Sequence, residues 1–528
     1  MVPLDNDGAM LNQRVSLEDE DKLRETILQE KARGTPDLEI GRKYGVTFRY
    51  IERIITESQG INVSAFRSHK KIETLYPKDF KEEQTTVWSF RQRGKWATHS
   101  GEYRGNWSPY IPRNVILKYS KLGELVLDYF CGAGTTAVEA KLLGRRCTSF
   151  DINDKAVELA KRNIDFNIET QQLTFDDRGK YHQIYEPELS IGDARDLSIL
   201  HDNSVDLICA HPPYANIIHY TDSREGDLSF FDIADFLDEM SKVARESFRV
   251  LKPGRQCAIL IGDTRRKKRV IPLGFKLIDV YLNAGFKLRE LVIKRQYNCK
   301  STGFWYTNSI KYNFLLLAHE YLPVFEKPKS PSFLGVSERM MYYGLAIPIL
   351  EKLPKKRKLD RFETTTVWIL PKKDFEKQLN KNVIDRYSSG RGYSAITFVS
   401  HSNDNEGTVL RMGWKRKGLL LIKSSVPTDD SSWSSNIELC LQKTKEIVSR
   451  ELPEIDDDGS IVIQTQDLRI DGYIEPMAKR VVDMLSLDNL RLKEVIIVVP
   501  EGLDSKTQIS DDYLEIVHQY LLVYEVAR

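Results

Sequence analysis

The stretch 125–136, Leu-Val-Leu-Asp-Tyr-Phe-Cys-Gly-Ala-Gly-Thr-Thr, constrains the fold of this chain more than any other. Its first three residues are typical of a short buried strand, which Asp128 ends. Gly132 and Gly134 predict a tight turn, and Thr135 opens a segment with apolar residues on one helical face. This order predicts the first βα unit of a doubly wound α/β sheet, with a ligand crevice at the carboxyl end of the strand. A ligand can approach the backbone closely there because glycine has no Cβ.

Further acids follow the next predicted strands. Residues 146–151 read as a second strand that ends in Asp151, and Asp193 follows a third. Residues 205–210 form a buried apolar run that leads into His211-Pro-Pro-Tyr214. Each acid could be a helix cap or a turn residue, but their places at consecutive strand ends favour a shared ligand crevice.

Two motifs together resemble a known family. Asp-x-Phe-x-Gly-x-Gly at 128–134 and the Pro-Pro-Tyr strand end at 212–214 are similar to the S-adenosylmethionine-dependent DNA amino-methyltransferases, the adenine-N6 and cytosine-N4 enzymes. The similarity extends over about 85–325. It implies a Rossmann-like methyltransferase fold, S-adenosylmethionine as the cofactor, and chemistry that needs no metal.

The resemblance also implies a set of cofactor contacts. We expect Phe130 and the two glycines to line the amino-acid moiety, Asp151 to hold the ribose, and Asp193 to hold the adenine amino group. Tyr110-Ile-Pro112 matches the segment that covers the methionine end in the family, although a structural aromatic cluster is an equal alternative. The complete set of expected cofactor residues is Tyr110, Ile111, Pro112, Asp128, Tyr129, Phe130, Gly132, Gly134, Thr135, Thr136, Asp151, Ile152, Asp193 and Ala194.

The expected catalytic residues are His211, Pro212, Pro213 and Tyr214. An exocyclic amine conjugated to a base is a poor nucleophile, so it needs an acceptor for its proton. Prolines fix φ and offer no N–H that would compete for the amine's lone pair. Tyr214 offers a flat face to a base flipped out of the duplex. The family usually has Asp, Asn or Ser where His211 stands, so the modified base and the activity stay open; residues 215–221 look slightly more like cytosine-N4 members.

A chain of 528 residues predicts two or three domains. Residues 1–66 are predicted to form a helix-turn-helix that binds DNA through Thr47, Arg49, Tyr50 and Arg53, with a protein-binding helical bundle as the alternative. Residues 67–330 are the expected catalytic domain, followed by a basic linker at 331–361. Within the catalytic domain, Arg265, Arg266 and Lys267 could clamp phosphates or form a solvated loop.

An internal repeat occupies the C-terminal part. Residues 460–525 echo 257–326, and Thr85-Thr-Val-Trp88 recurs at 365–368. The repeat predicts a degenerate methyltransferase-like domain over 362–528, since that segment lacks both the paired glycines and a Pro-Pro-Tyr motif. We expect it to serve DNA recognition or to hold the catalytic domain.

Composition narrows the remaining classes. The chain has no apolar run long enough for a membrane span, and its first residues lack the basic and apolar pattern that would predict a signal sequence. Its six cysteines are scattered, which argues against zinc. We therefore expect a cytoplasmic, nucleoid-associated protein whose partner is double-stranded DNA, with a restriction endonuclease or a second copy as further candidates. The alternative functions are an RNA base amino-methyltransferase and a catalytically impaired DNA-binding regulator; the predicted helix-turn-helix argues against the first and the intact glycine turn against the second.

Overall fold

The computed structural model describes most of the chain. The described residues are 17–33, 35, 37–46, 50–51, 54, 72–78, 80–101, 103, 105–168, 183–214, 227–266, 269–297, 306, 309–329, 364–399, 409–412, 416–426, 433–486, 489–502 and 513–527. Some sequence predictions therefore lie outside the described residues, namely those for Thr47, Arg49, Arg53, Lys267 and the linker at 331–361.

Short helices come first. Helix α1 spans Leu17–Ala32 and α2 spans Asp37–Tyr44. A small apolar cluster joins them to residues that follow, and its buried members are Ile27, Ile40, Ile51 and Ile54. Glu30 ties the two helices together, because its carboxylate accepts hydrogen bonds from Lys43 Nζ at 2.5 Å and Tyr44 Oη at 2.8 Å.

An eight-stranded sheet follows in the described part of the chain. Its strands are β1 Val87–Ser89, β2 Leu125–Asp128, β3 Arg146–Asp151, β4 Glu188–Ile191, β5 Val205–Ala210, β6 Leu251–Ile259, β9 Lys287–Arg295 and β10 His319–Glu326. Their order across the sheet is β1-β9-β10-β6-β5-β2-β3-β4. β10 runs antiparallel to both of its neighbours, and the other pairs are parallel. Strands β7 Thr264–Arg266 and β8 Arg269–Ile271 form a separate hairpin.

Helices cover both faces of this first sheet. They are α3 Tyr110–Tyr119, α4 Thr135–Leu142, α5 Asp154–Ile164, α6 Ile233–Val250 and α7 Leu273–Asn283. Apolar residues of α6 and α7 pack in one buried cluster, and those of α3 and α4 pack in another. All six residues of β5 are buried, as expected for a strand covered on both sides. The predicted doubly wound α/β fold is confirmed.

A seven-stranded second sheet contains β11-β18-β19-β15-β14-β12-β13 in that order. Its strands are β11 Val367–Leu370, β12 Gly392–Val399, β13 Val409–Met412, β14 Lys417–Ser425, β15 Ile455–Thr465, β18 Leu490–Pro500 and β19 Gln519–Val526. Helices α8 Phe375–Tyr387, α9 Trp433–Glu451 and α10 Met477–Met484 accompany it, with the hairpin β16 Leu468–Ile470 and β17 Tyr473–Glu475. In order, these seven strands correspond to β1, β9, β10, β6, β5, β2 and β3 of the first sheet. The difference is that β13 is antiparallel to its neighbour β12.

Reciprocal contacts join the two sheets. Arg469 donates to Glu290 Oε2 at 2.6 Å, and its counterpart Arg265 pairs with Glu494. Both pairs are largely buried, since the exposed side-chain fractions are 2% and 0% for the first pair and 11% and 1% for the second. Each half of the chain thus contributes one arginine that pairs with a glutamate of the other half. This reciprocal pattern is that of an isologous twofold interface.

Two buried histidines show the same reciprocal pattern, since each is hydrogen-bonded to a threonine of the other half. Thr86 Oγ1 lies 2.8 Å from His518 Nδ1, and Thr366 Oγ1 lies 2.8 Å from His319 Nδ1. Burial lowers the pKa of His319 to about 4 and that of His518 to about 3, so both rings are neutral near pH 7. In the described part of the chain, no helix is long and apolar enough to cross a membrane, and no cluster of three potential metal ligands occurs.

Candidate active site

The glycine turn after β2 has the geometry that its sequence predicts. Gly132 has φ +50° and Gly134 has φ +78°, both in the left-handed region that favours glycine. A Cβ on Gly132 would lie 2.9 Å from Cε1 of Tyr103, so any larger residue would displace that ring. Asp151, at the end of β3, accepts a hydrogen bond from Gly132 N at 2.8 Å and thereby holds the turn.

A crevice opens at the carboxyl ends of β2, β3, β4 and β5. Half of the predicted cofactor residues line it: Tyr129, Phe130, Gly132, Asp151, Ile152, Asp193 and Ala194. Sequence reasoning missed other lining residues, namely Tyr103, Gly105, Asn106, Trp107, Cys131, Gly192, Asp227 and Leu228. His211, Pro212 and Pro213 close the far side. The strand ends therefore bring the predicted cofactor and catalytic residues together.

The remaining predicted cofactor residues lie outside this lining. Asp128, Thr135 and Thr136 are buried beside the turn, where Asp128 Oδ1 accepts from Phe130 N at 3.0 Å. Gly134 packs closely on Ala160. Tyr110, Ile111 and Pro112 begin α3, and the last two are buried in its packing. In place of those three, the crevice is covered by the segment just upstream, which includes Asn106 and Trp107.

Burial perturbs the acids around the turn. It raises the pKa of Asp151 to about 6, although the backbone N–H groups of Asn153 and Gly132 act in the opposite direction. It raises the pKa of Asp128 to about 7. Asp193 instead forms an ion pair with Arg195, whose Nη2 lies 2.6 Å from Asp193 Oδ2. Two acids of different character thus face the crevice: Asp151 is half-buried and holds the turn, and Asp193 is paired with Arg195.

A chain of polar contacts leads away from His211. Its Nε2 lies 2.8 Å from Tyr214 Oη, which donates to Glu320 Oε1 at 2.8 Å. Lys294 Nζ lies 2.7 Å from Glu320 Oε2. Trp107 stacks on the imidazole with a centroid separation of 5.4 Å and an interplanar angle of 19°. Burial lowers the pKa of His211 to about 4, so the ring is neutral at pH 7.

A second, wider cavity lies on the other side of His211, with a volume of about 1130 Å³. Six basic residues line it, namely Lys78, Arg91, Arg93, Lys95, Lys294 and Arg295, against the acids Glu73 and Glu320. Its aromatic residues are Tyr76, Phe90, Trp96, Trp107, Tyr110, Tyr214 and Tyr297. Both cavities share Gly105, Asn106, Trp107, His211 and Pro212. A molecule in the crevice and one in the wide cavity would therefore meet at the imidazole.

The structure corrects one predicted DNA contact. The Arg265 guanidinium is committed to Glu494 and to the carbonyl oxygens of Lys493 and Leu315 between the two sheets, so it is not available to phosphates. Arg266 is exposed on the β7–β8 hairpin, and Tyr50 is half-buried beside the N-terminal cluster.

Comparison with known proteins agrees with this geometry. A family model described as DNA methylase matches residues 42–162 and 205–417, which is more than half of the chain. A second model, described as methyltransferase domain, matches residues 120–272.

Similar curated proteins match over shorter stretches. The type II methyltransferase M2.DpnII of Streptococcus pneumoniae is 29% identical over 124 residues, which are 22% of this chain and 46% of that protein. The type II methyltransferase M.MthZI of Methanothermobacter thermautotrophicus is 27% identical over 30% of this chain and 48% of its own length. The tRNA (guanine(10)-N2)-dimethyltransferase of the same species is 32% identical over 26% and 34%, respectively. The matched region thus spans less than half the length of each of these relatives.

Proposed function

Because the chain belongs to the DNA methylase family, we propose that it methylates an exocyclic amino group of a base in duplex DNA, with S-adenosylmethionine as the methyl donor. The observation that carries this proposal is the meeting of two cavities at His211. One is a crevice at the strand ends with a glycine turn and acids, and the other is wide, basic and aromatic. The first suits a nucleoside cofactor, and the second suits a base attached to a phosphate backbone.

The residues around the crevice fit the cofactor. A Cβ at Gly132 would lie 2.9 Å from Cε1 of Tyr103, which also lines the crevice, so the glycine lets this part of the crevice wall keep its shape. Asp151 and Asp193 present carboxylates to hydroxyl and amino groups. When bound, S-adenosylmethionine supplies a methyl group on a sulfonium, which a nucleophile can take directly.

The residues on the acceptor side have separate tasks. The neutral imidazole of His211 accepts a hydrogen bond from the N–H of the target amine. This makes the amine nitrogen more nucleophilic, so that its lone pair can attack the methyl group. Pro212 and Pro213 leave no N–H to compete for that lone pair. The rings of Trp107 and Tyr214 flank the imidazole and offer faces to a flipped base. We propose cytosine N4 as the target amine, with adenine N6 as the alternative, from the similarity of residues 215–221 to cytosine-N4 members.

The decisive experiment incubates the full chain and labelled S-adenosylmethionine with mixed-sequence duplex DNA and, separately, with total RNA. Mass spectrometry of the digested nucleosides identifies the product. N4-methylcytosine in DNA supports the proposal as stated, and N6-methyladenine changes only the base. Label in RNA alone overturns it in favour of an RNA enzyme, the class to which one relative belongs by name.

A matched pair of variants controls for inactivity. Asp151→Asn should weaken cofactor binding, whereas His211→Ala should leave binding intact and abolish transfer. If the parent binds the cofactor but transfers nothing, either the DNA lacks the target sequence or the histidine silences the site. Recovery of transfer in His211→Asp would show that the histidine silences it.

We propose further that the second sheet and its helices are a degenerate methyltransferase-like unit without a site of its own. In register with the repeat, Lys423 stands where the first sheet has His211, and it is committed to Glu376 at 2.7 Å. Calorimetric titration with S-adenosylmethionine should therefore give one site per chain, weakened by Asp151→Asn. Two sites, or one whose affinity this substitution leaves unchanged, would contradict the assignment.

A further inference from the structure

We propose that Glu320 and Lys294 are positioning residues that fix the tautomer of His211 through Tyr214, so that Nδ1 is the atom that accepts the proton of the target amine. This inference rests on the proposed function, because it specifies which atom of His211 acts in that reaction. It adds two residues that lie about 80 to 110 positions away in the chain and carry no motif.

The direction of each hydrogen bond between Lys294, Glu320, Tyr214 and His211 follows from the chemistry of Lys294 and Glu320. The Lys294 ammonium has only protons to give, and Glu320 has only lone pairs while it is ionised. Although burial disfavours that charge, Lys294 keeps the pKa of Glu320 below its ordinary value. Tyr214 therefore uses its single proton toward Glu320 Oε1, at 2.8 Å.

Only one arrangement then remains for the imidazole. Tyr214 Oη has no proton left, so it accepts from Nε2–H of His211 across 2.8 Å. A neutral imidazole has one N–H and one lone pair, so the lone pair is on Nδ1. Among the described residues, no hydrogen bond reaches Nδ1. Trp107 fixes the ring plane by stacking, and the ring borders both cavities.

The second sheet shows the same positions without this device. Lys294 pairs across the strands with Glu320, and the matching cross-strand pair there is Val498 with Gln519. Gln519 Oε1 accepts from Gln464 at 2.7 Å instead of from a tyrosine. The ion pair of Lys294 and Glu320 thus occurs in the first sheet, which carries His211. The second sheet lacks both the histidine and the ion pair at the matching positions.

Glu320→Gln tests the proposal because Lys294 dictates how the new amide is oriented. The carboxamide oxygen must turn to the ammonium, which leaves its NH₂ facing Tyr214. Tyr214 then donates to Nε2, and the proton of His211 moves to Nδ1, where it opposes the amine. We expect kcat to fall by about 100-fold or more, the scale of a lost general base, with the KM for S-adenosylmethionine unchanged.

A rescue variant separates this effect from simple damage. In Lys294→Met/Glu320→Gln the ammonium is gone, so the amide oxygen is free to accept from Tyr214 and the original tautomer returns. The double variant should be more active than Glu320→Gln by tenfold or more. A merely structural role for the pair predicts a double variant that is no better than the single one, and that result overturns the proposal.

A spectroscopic measurement reads the tautomer directly in the full chain. Nitrogen-15 NMR of histidine-labelled protein distinguishes a protonated from an unprotonated ring nitrogen, and loss of a signal in His211→Asn assigns it. We expect Nε2–H in the parent and in the double variant, and Nδ1–H in Glu320→Gln. Nδ1–H in the parent overturns the proposal even if the protein methylates DNA. Nε2–H without methylation of any nucleic acid leaves the tautomer assignment standing and defeats the proposed function.

Discussion

The buried ion pair between Arg469 and Glu290 should be among the most costly contacts in the chain to break. Arg469→Met removes the guanidinium that donates to Glu290 Oε2 at 2.6 Å and to Leu514 O at 3.0 Å. The Glu290 carboxylate is fully buried, so it cannot recover that interaction from water.

The magnitude follows from that burial. Removal of one partner of a buried ion pair typically costs about 3–5 kcal/mol, because the remaining charge is uncompensated. Arg289 also acts on Glu290 and offsets part of the loss, so we expect about 3 kcal/mol. Replacement of both residues, in Arg469→Met/Glu290→Leu, should restore most of it, since two apolar groups of similar size need no solvation.

The penalty should also depend on pH in a defined direction. Burial already raises the pKa of Glu290, and loss of Arg469 raises it further. A carboxyl group whose pKa is raised in the folded state destabilises that state above its unfolded pKa, near 4.3. The difference between the variant and the parent should therefore be largest at neutral pH and shrink as the pH falls.

Native-state hydrogen exchange is the suitable assay, because a chain with two sheets need not unfold in a single step. Mass spectrometry of peptides from β9 and β10 gives the local free energy of opening. The pair Lys493–Glu525, whose side chains are 16% and 37% exposed, supplies a control, since Lys493→Met should change that free energy by less than about 1 kcal/mol. A loss below about 1 kcal/mol in Arg469→Met, or a double variant no more stable than the single, would refute this reasoning.

Two other perturbations have defined outcomes. Gly132→Ala should weaken S-adenosylmethionine binding measured by calorimetry, because the new Cβ lies 2.9 Å from Tyr103, whereas Gly45→Ala, at φ +66° in open space, should not. Glu139→Gln should lower the local free energy of opening of α4, measured by hydrogen exchange, by about 3 kcal/mol, because the fully buried carboxylate pairs with Arg113 and His99. Although burial disfavours the charge, these partners hold the pKa of Glu139 below its ordinary value. The difference should therefore begin to shrink below the unfolded pKa, near 4.3, and vanish only when the pH falls through the lower pKa of the folded state.

The sequence alone was sufficient to predict those site residues that stand at the ends of parallel strands. Asp151, Asp193 and His211 each come at the end of a predicted parallel strand, and such ends converge at one edge of a doubly wound sheet. No side-chain contact had to be known for that step. The glycine turn could also be placed, because glycine is the residue that its positive φ angles favour.

The remaining site residues depend on register and on tertiary packing, which a single sequence does not reveal. Lys294 and Glu320 meet because β9 and β10 pair antiparallel in one particular register. Trp107 reaches His211 from a segment without regular structure, held by Arg93, which donates to Trp107 O at 2.7 Å. Arg265 sits in a basic run that suggests phosphate binding, yet its partner Glu494 lies 229 positions away.

The reciprocal interface offers a last test, which links the second sheet to catalysis. Along β10, His319 and Tyr321 point to one face and Glu320 to the other, as successive residues of a strand do. His319 is anchored by Thr366, which accepts from Ala318 N at 3.0 Å. The second sheet therefore holds the strand that carries Glu320. At the matching place Thr86 anchors His518, but the next residue is Gln519, whose amide oxygen accepts a hydrogen bond from Gln464.

Thr366→Val and Thr86→Val are thus a matched pair supplied by the molecule itself. Each substitution removes a threonine hydroxyl that is hydrogen-bonded to a buried histidine. Each should therefore destabilise the chain by about 1–3 kcal/mol, measured by hydrogen exchange. Only Thr366→Val releases the start of β10, so only this variant should lower kcat, by several-fold, with little change in the KM for S-adenosylmethionine. Equal effects on kcat would mean that the second sheet acts through overall stability and does not position Glu320.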